Sequence, residues 1–165
     1  MEEIFSKPAV SAIIEKVENG QKYILVQRRN KEDDYNTNGM IEVVGGKVRE
    51  YENIFEALRR EVKEETGLSI TKILGEELYV GEMVKDVEVI NFNPFCVTQN
   101  LNGIYSLIMM TFICHAEGTP LDITDETTDI HWERLEVVED MLLNTPEKIF
   151  PMDVLPLKKY IEYRK

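Results

Sequence analysis

Apolar and polar positions along the chain separate into strand-length runs and one clear helical period. Residues 10–17 and 23–27 read as two strands, joined at Glu18-Asn19-Gly20-Gln21, where Asn-Gly supplies the positive φ angles of a tight hairpin. A polar stretch over 30–38 follows, then a short apolar run over 40–44 that ends in Gly45-Gly46. Residues 53–66 carry a helix: Asn53 is placed to cap it, Glu56 to complete a capping box, and Gly67 to stop it. Beyond it, strands are predicted over 69–85 and 88–97. A hairpin follows around Asn102-Gly103 with its return strand over 105–115, and another strand covers 127–134. Two short helices over 135–143 and 153–163 close the chain, with Pro156 in the first turn of the last, where its missing N–H is harmless. Hairpins with helices scattered among them predict one α+β domain over 1–165, a mixed sheet between helices.

The helix over 53–66 carries an anomaly. Ile54, Ala57 and Leu58 form one stripe, widened by Val62 and Phe55, and that stripe is the core-facing side. One turn further along, the same stripe holds Glu61, Glu64 and Glu65. Three acids at i, i+3 and i+4 crowd one another, and the C-terminal half of a helix disfavours negative charge. Each effect costs from a few tenths to about 1 kcal/mol, and burying an unpaired carboxylate costs far more. A hard divalent cation reverses every one of these terms, and oxygen ligands at this density suit Mg²⁺ or Mn²⁺. The plainer alternative is a solvated acidic helix whose inward stripe stops at Leu58.

Charge sharpens the choice. The formal net charge is −12, which argues against wrapping a nucleic-acid polymer or docking on an anionic membrane. A small phosphorylated ligand remains compatible, provided that local cations or bound metal offset the global repulsion. Hydrophobic residues at 43% and charged residues at 30% fit a soluble globular protein. The N-terminal residues lack a secretory leader's basic charge and apolar stretch, and the apolar run over 104–114 is broken by Ser106 and Thr111 and is too short to span a bilayer. Cys96 and Cys114 show neither metal-ligand spacing nor a disulfide framework, so a reducing cytoplasm is the expected location.

The segment around the helix carries a specific spacing. Gly46, five residues, Glu52, seven residues, Arg60-Glu61-Val62, one residue, Glu64-Glu65, one residue and Gly67-Leu68 together resemble the Nudix box without a departure. The acid-then-Trp segment from Glu126 to Trp132 also looks like the family's layout. Val44 departs from it, since many members have Pro before the double glycine.

The resemblance implies a Nudix-type α/β/α sandwich and hydrolysis of a nucleoside diphosphate linked to another moiety, giving two phosphorylated products. It implies one to three Mg²⁺ or Mn²⁺ ions on Glu61, Glu64 and Glu65, joined by a carbonyl of Gly46 or Gly45, with Glu52 in support. Arg60 would orient a box glutamate. The proton acceptor would be Glu64 or Glu61, or an acid on a later loop, for which Glu126 is the candidate; an ordinary loop acid is the equal alternative there. Arg28 and Arg29 at the end of the second strand, with Lys47, could form a cationic patch for substrate phosphate, or could be ordinary surface charge. His115, His131 and Trp132 read as structural.

The expected partner is a small phosphorylated nucleotide-like substrate, a nucleoside triphosphate or nucleotide sugar foremost; homodimers are common in the family. Neither Pro94 nor Tyr79 stands where a subclass marker would fall, and Asn-Phe-Asn-Pro-Phe at 91–95 reads equally as pocket wall or core. The competing classes are a ligand-sensing domain without hydrolysis, against which the intact acids argue, and a diphosphate isomerase using Cys96, against which the regular box argues.

Overall fold

The computed structural model describes residues 3–31 and 36–165; Met1, Glu2 and residues 32–35, part of the expected polar stretch, lie outside the described residues. The chain forms β1 (Lys7–Glu18), β2 (Gln21–Arg29), β3 (Ile41–Glu42), β4 (Val44–Lys47), α1 (Ile54–Thr66) and β5 (Ser69–Ile73). There follow β6 (Val80–Val84), β7 (Val87–Asn91), β8 (Cys96–Gln99), β9 (Leu107–Glu117), β10 (Thr127–Arg134), α2 (Leu135–Asn144) and α3 (Pro151–Arg164).

The main sheet runs β10-β2-β1-β9-β5, with β3 on β2, β4 on β1 and β8 on β9. Strand β1 ties its two halves together. Its first residues lie between β4, antiparallel through Ser11↔Gly45, and β9, parallel from Lys7↔Leu107 to Ile14↔Cys114. Its last residues pair with β2 across the Asn19-Gly20 turn, where both φ angles are positive (51° and 77°).

The period of two along β1 divides the core. Val10, Ala12 and Ile14 face α1 with Leu25, Val44, Ala57, Leu58, Val62 and Phe112. Ile13 faces the opposite side with Ile24, Val26, Ile113 and the α2–α3 residues Val138, Leu142, Leu157 and Tyr160. The result is an α/β/α sandwich, as the sequence led us to expect. Full burial of each such Leu or Ile stabilises it by about 2 kcal/mol.

Four local expectations need correction. The strand expected over 69–85 breaks at Gly75, which sits at φ 89° and begins the 3₁₀ turn Glu76–Leu78; only β5 joins the main sheet. The strand expected over 88–97 breaks around Pro94, which has no N–H to donate to a ladder, so β7 pairs with β6 in a separate hairpin and β8 joins β9. Pro156 lies inside α3 rather than in its first turn, because the helix starts at Pro151. The capping box is half formed: Asn53 accepts from the Phe55 amide (2.9 Å), while Glu56 turns to Arg59 (3.5 Å).

Candidate functional site

The double glycine brings β4 against two neighbours at once. A Cβ on Gly45 would lie 2.7 Å from the Val10 carbonyl oxygen, so a side chain there would force β4 away from β1. A Cβ on Gly46 would lie 2.1 Å from the carboxyl carbon of Glu61. The bare Cα of Gly46 therefore lets the Glu61 carboxylate rest on the strand.

Arg60 gathers the acids of this side. Its Nε and Nη2 donate to the two oxygens of Glu52 (2.6 and 2.9 Å), its Nη1 to Glu61 (2.5 Å) and Glu64 (3.2 Å), and Nη2 also to the Lys47 carbonyl (3.2 Å). The loop before α1 adds the Arg49 amide, which donates to Glu52 (2.9 Å). Hydrogen bonding to Arg60 holds the Glu52 carboxyl at about 2, against its ordinary 4.5. Glu64 is half exposed, with Arg49 at 3.6 Å.

Glu65 belongs to a different environment. It is buried and accepts from Gln27 Nε2 (2.8 Å), which also reaches Glu42 (3.3 Å). Glu42 in turn accepts from Arg29 (2.8 Å), and buried Asp153 accepts from the Val43 amide (2.9 Å). Burial, with Glu42 beside it, pushes Glu65 up to about 8; burial likewise raises Glu42, and it raises Asp153 well above the usual carboxylate range.

These residues surround a cleft of 920 Å³. Gly46, Lys47, Arg60, Glu61 and Glu64 line it from β4 and α1, Arg29, Glu42 and Asp153 from β2, β3 and α3, and Lys31, Asp125 and Glu126 from the segments that follow β2 and precede β10. The fold thus brings most of the sequence-derived candidates together. Glu52 and Glu65 stand behind this lining. Arg28 points elsewhere, to Asp129 (2.9 Å) and the Gly39 carbonyl (3.0 Å).

The remaining candidates sit away from the cleft. Phe92 packs with Phe55 and Phe112, and Phe95 meets Tyr163 edge to face (ring centres 5.6 Å apart); neither ring lines the cleft. Trp132 packs against the α1-side core under Lys16. His115 pairs with Glu15, and His131 with Asp129 and Glu133. Cys96 lies on β8 beside Leu155 and Lys159, outside the cleft.

Glu42, Asp153 and Gln27 escaped the sequence analysis. Their one signal was a polar residue within a strand-length apolar run or an amphipathic helix, and such residues usually face solvent.

The donor chemistry suits a divalent cation. Among the described residues no three acidic, His or Cys side chains converge on one point as they stand. Yet hard oxygen donors abound, Gly46 leaves a cradle for Glu61, and Gln27 Oε1 is buried with no hydrogen-bond partner. Arg29 is hydrogen-bonded to Glu42 there, while burial holds Glu65 and Asp153 toward the protonated form, a state that an added cation would reverse.

A curled mixed sheet between helices, with an acid-lined cleft at the double glycine of β4, defines an α/β/α sandwich of the Nudix type. The chain belongs to the NUDIX family, whose domain matches residues 6–153. As a member it is a Nudix pyrophosphohydrolase. Among solved structures it is similar to the NUDIX domain of Shewanella oneidensis NrtR complexed with ADP ribose, at TM-score 0.67 and 16% identity, covering 99% of this chain and 91% of that one. It is similar to the MutT protein of Methanosarcina mazei Go1, at TM-score 0.63 and 21% identity, covering 100% and 99%. The E. coli ORF135 protein matches at TM-score 0.61 and 23% identity, covering 96% and 91%. At such identities these likenesses establish the fold. No curated protein matches the chain. Among the described residues no helix is long and apolar enough to cross a membrane.

Proposed function

We propose that the chain hydrolyses a diphosphate linkage in a small nucleotide-like substrate, a nucleoside triphosphate or a nucleotide sugar, with Mg²⁺ or Mn²⁺. Glu61, Glu64, Glu65 and the Gly46 carbonyl would hold one to three ions, and Glu52 would support them through Arg60. The observation that carries this reading is the close approach of the Glu61 carboxylate to Gly46, which brings a box acid against the double-glycine strand at the cleft.

A divalent cation at such a site supplies charge neutralisation of the diphosphate and a lower pKa for the attacking water. Arg60 fixes Glu61 and Glu64 in orientation, because one planar guanidinium bonded to three carboxylates leaves each few alternatives. Glu64, half exposed at the cleft, takes the proton from water in this scheme, with Glu61 and Glu126 as the alternative acceptors. Arg29 and Lys47 face the same space and serve the phosphates. Arg28 joins them only by leaving Asp129.

The test is a panel of GTP, dGTP, CTP, UDP-glucose and ADP-ribose with Mg²⁺ or Mn²⁺, comparing the wild type with Glu64→Gln. The expected outcome is metal-dependent release of a nucleoside monophosphate or pyrophosphate, reduced about 100-fold or more in the variant. No turnover across the panel, with a nucleotide still raising Tm, would replace hydrolysis of these substrates by ligand sensing.

A further inference from the structure

Two chain segments meet at the mouth of the cleft: residues 30–31, where the chain leaves β2, and residues 124–127, where it enters β10. The Asn30 amide donates to the Glu126 carbonyl (2.8 Å), continuing the β2–β10 pairing one residue past Thr127↔Arg29. Thr124 folds the other side of the turn: its Oγ1 accepts from the amides of Glu126 (3.4 Å) and Thr127 (3.2 Å), and its own amide donates to the Thr127 carbonyl (2.9 Å). The backbone of Glu126 is therefore fixed from two directions, while its long side chain retains freedom of its own.

The Lys31 ammonium removes that freedom, lying 2.7 Å from Glu126 Oε2. Lys31 is itself anchored, its amide donating to Asn38 Oδ1 (2.8 Å). The pair is asymmetric, with the Lys31 side chain 27% exposed and that of Glu126 58% exposed, so the cation is the more firmly seated partner. Both residues line the cleft that Glu61 and Glu64 also line.

We propose that Lys31 is a positioning residue that holds the Glu126 carboxylate over the cleft so that this acid can serve the reaction. The proposal rests on Glu126 being one of the acids that take part. A cation at this distance also weakens a carboxylate as a base, and hydrogen bonding to Lys31 does hold Glu126 below the usual range. What Lys31 contributes is therefore place rather than basicity. The competing account is a surface ion pair that merely joins two loops, worth about 0–1 kcal/mol and silent in the chemistry.

Steady-state kinetics of the full chain on the same five nucleotides with Mg²⁺, read on the one cleaved fastest, separate the two. Lys31→Met, Lys31→Arg, Glu126→Gln and the double variant Lys31→Met/Glu126→Gln are compared, with Tm of each as the check on folding. The expected result is a fall in kcat of about 10-fold for Lys31→Met, with KM within about 2-fold. Lys31→Arg should restore most of the loss, and Lys31→Met should cost nothing further in the Glu126→Gln background.

An equal loss in both backgrounds would overturn the proposal, because Lys31 would then act by another route. A raised KM with kcat intact would overturn it too, making Lys31 a phosphate ligand. Glu126→Gln losing kcat while Lys31→Met keeps it would sink the positioning role alone. Glu126→Gln keeping full kcat would sink the part given to Glu126 itself. Absence of turnover on all five would remove the hydrolytic reading and this proposal together.

Discussion

Glu52, Glu61 and Glu64 share the guanidinium of Arg60, whereas Glu42 and Asp153 line the cleft with Glu65 behind them, Arg29 bonded to Glu42 and Gln27 reaching Glu42 and Glu65. The first group sets Arg60 and Arg49 against three carboxylates, and hydrogen bonding to Arg60 favours the ionised form of Glu52. The second has more carboxylates than local cations, and burial favours the protonated form. Neighbouring residues on one helix, Glu64 and Glu65, thus differ in surroundings: Glu64 is half exposed beside Arg60 and Arg49, and Glu65 is buried on Gln27. The lesson is that the box acids are not equivalent: the Arg60 side is organised in advance, and the Gln27 side is the one that gains most from added positive charge.

The sharpest way to break this comparison is at the two glycines that face it. Gly46→Ala places a methyl group into the Glu61 carboxylate, the end of a flexible side chain that can swing away, so Tm should change little. Displacing that carboxylate should nevertheless lower kcat about 100-fold. Gly45→Ala instead meets the Val10 carbonyl, which cannot yield without opening the β1–β4 pairing, and should cost about 2 kcal/mol of stability. Thermal melts beside kinetics check both. Equal loss of stability in the two variants would mean that Gly46 is needed for folding rather than for Glu61.

The second effect is a pH dependence of opposite sign on the two sides. Glu65 has a folded-state pKa of about 8 against an ordinary 4.5, so between these values the folded chain binds more proton than the unfolded one. Stability from this group therefore falls as pH rises from about 4.5 to 8, by at most about 1.4 kcal/mol per pH unit. Glu52 behaves conversely. With its pKa at about 2, its contribution is present above 4.5 and is lost as pH falls toward 2. In chelator, Tm should decline from pH 5 to pH 8, and Glu65→Gln should flatten the decline while Gln27 keeps a partner. Added Mg²⁺ should raise Tm more at pH 8 than at pH 5. An unchanged slope in Glu65→Gln would assign the decline to other groups.

What the sequence revealed follows from how local each feature is. The helix, its caps and the acids from Glu52 to Glu65 are contiguous, so periodicity and spacing alone displayed the wall of the cleft and its resemblance. The back of the cleft is built from single polar residues on β2, β3 and α3, far apart in sequence, and Gln27, Glu42 and Asp153 carry no mark separating them from solvent-facing polar residues. Lys31 was hidden for the same reason, since its partner lies on the turn before β10. The strand breaks at Gly75 and Pro94 were marked locally by those two residues, but which of the resulting pieces the main sheet takes, β5 and β8 rather than β6 and β7, is a tertiary choice. Glu56 shows the limit of a capping rule, because Arg59 one turn on competes for its carboxylate.

The smallest expected effect concerns two adjacent arginines that composition alone could not tell apart. Strand β2 alternates its faces, so Arg28 and Arg29 must point to opposite sides. Arg29 goes inward, buried against Glu42 with its guanidinium 4.2 Å from the Phe150 ring centre. Arg28 goes outward, about half exposed, to Asp129. An exposed pair of this kind contributes about 0–1 kcal/mol, and its side chain does not line the cleft. Arg28→Ala should therefore leave kcat/KM within about 2-fold of the wild type and shift Tm by no more than a few degrees. A 10-fold rise in KM would mean that Arg28 leaves Asp129 for the substrate phosphate, and that the cationic side of the cleft is completed only when substrate binds.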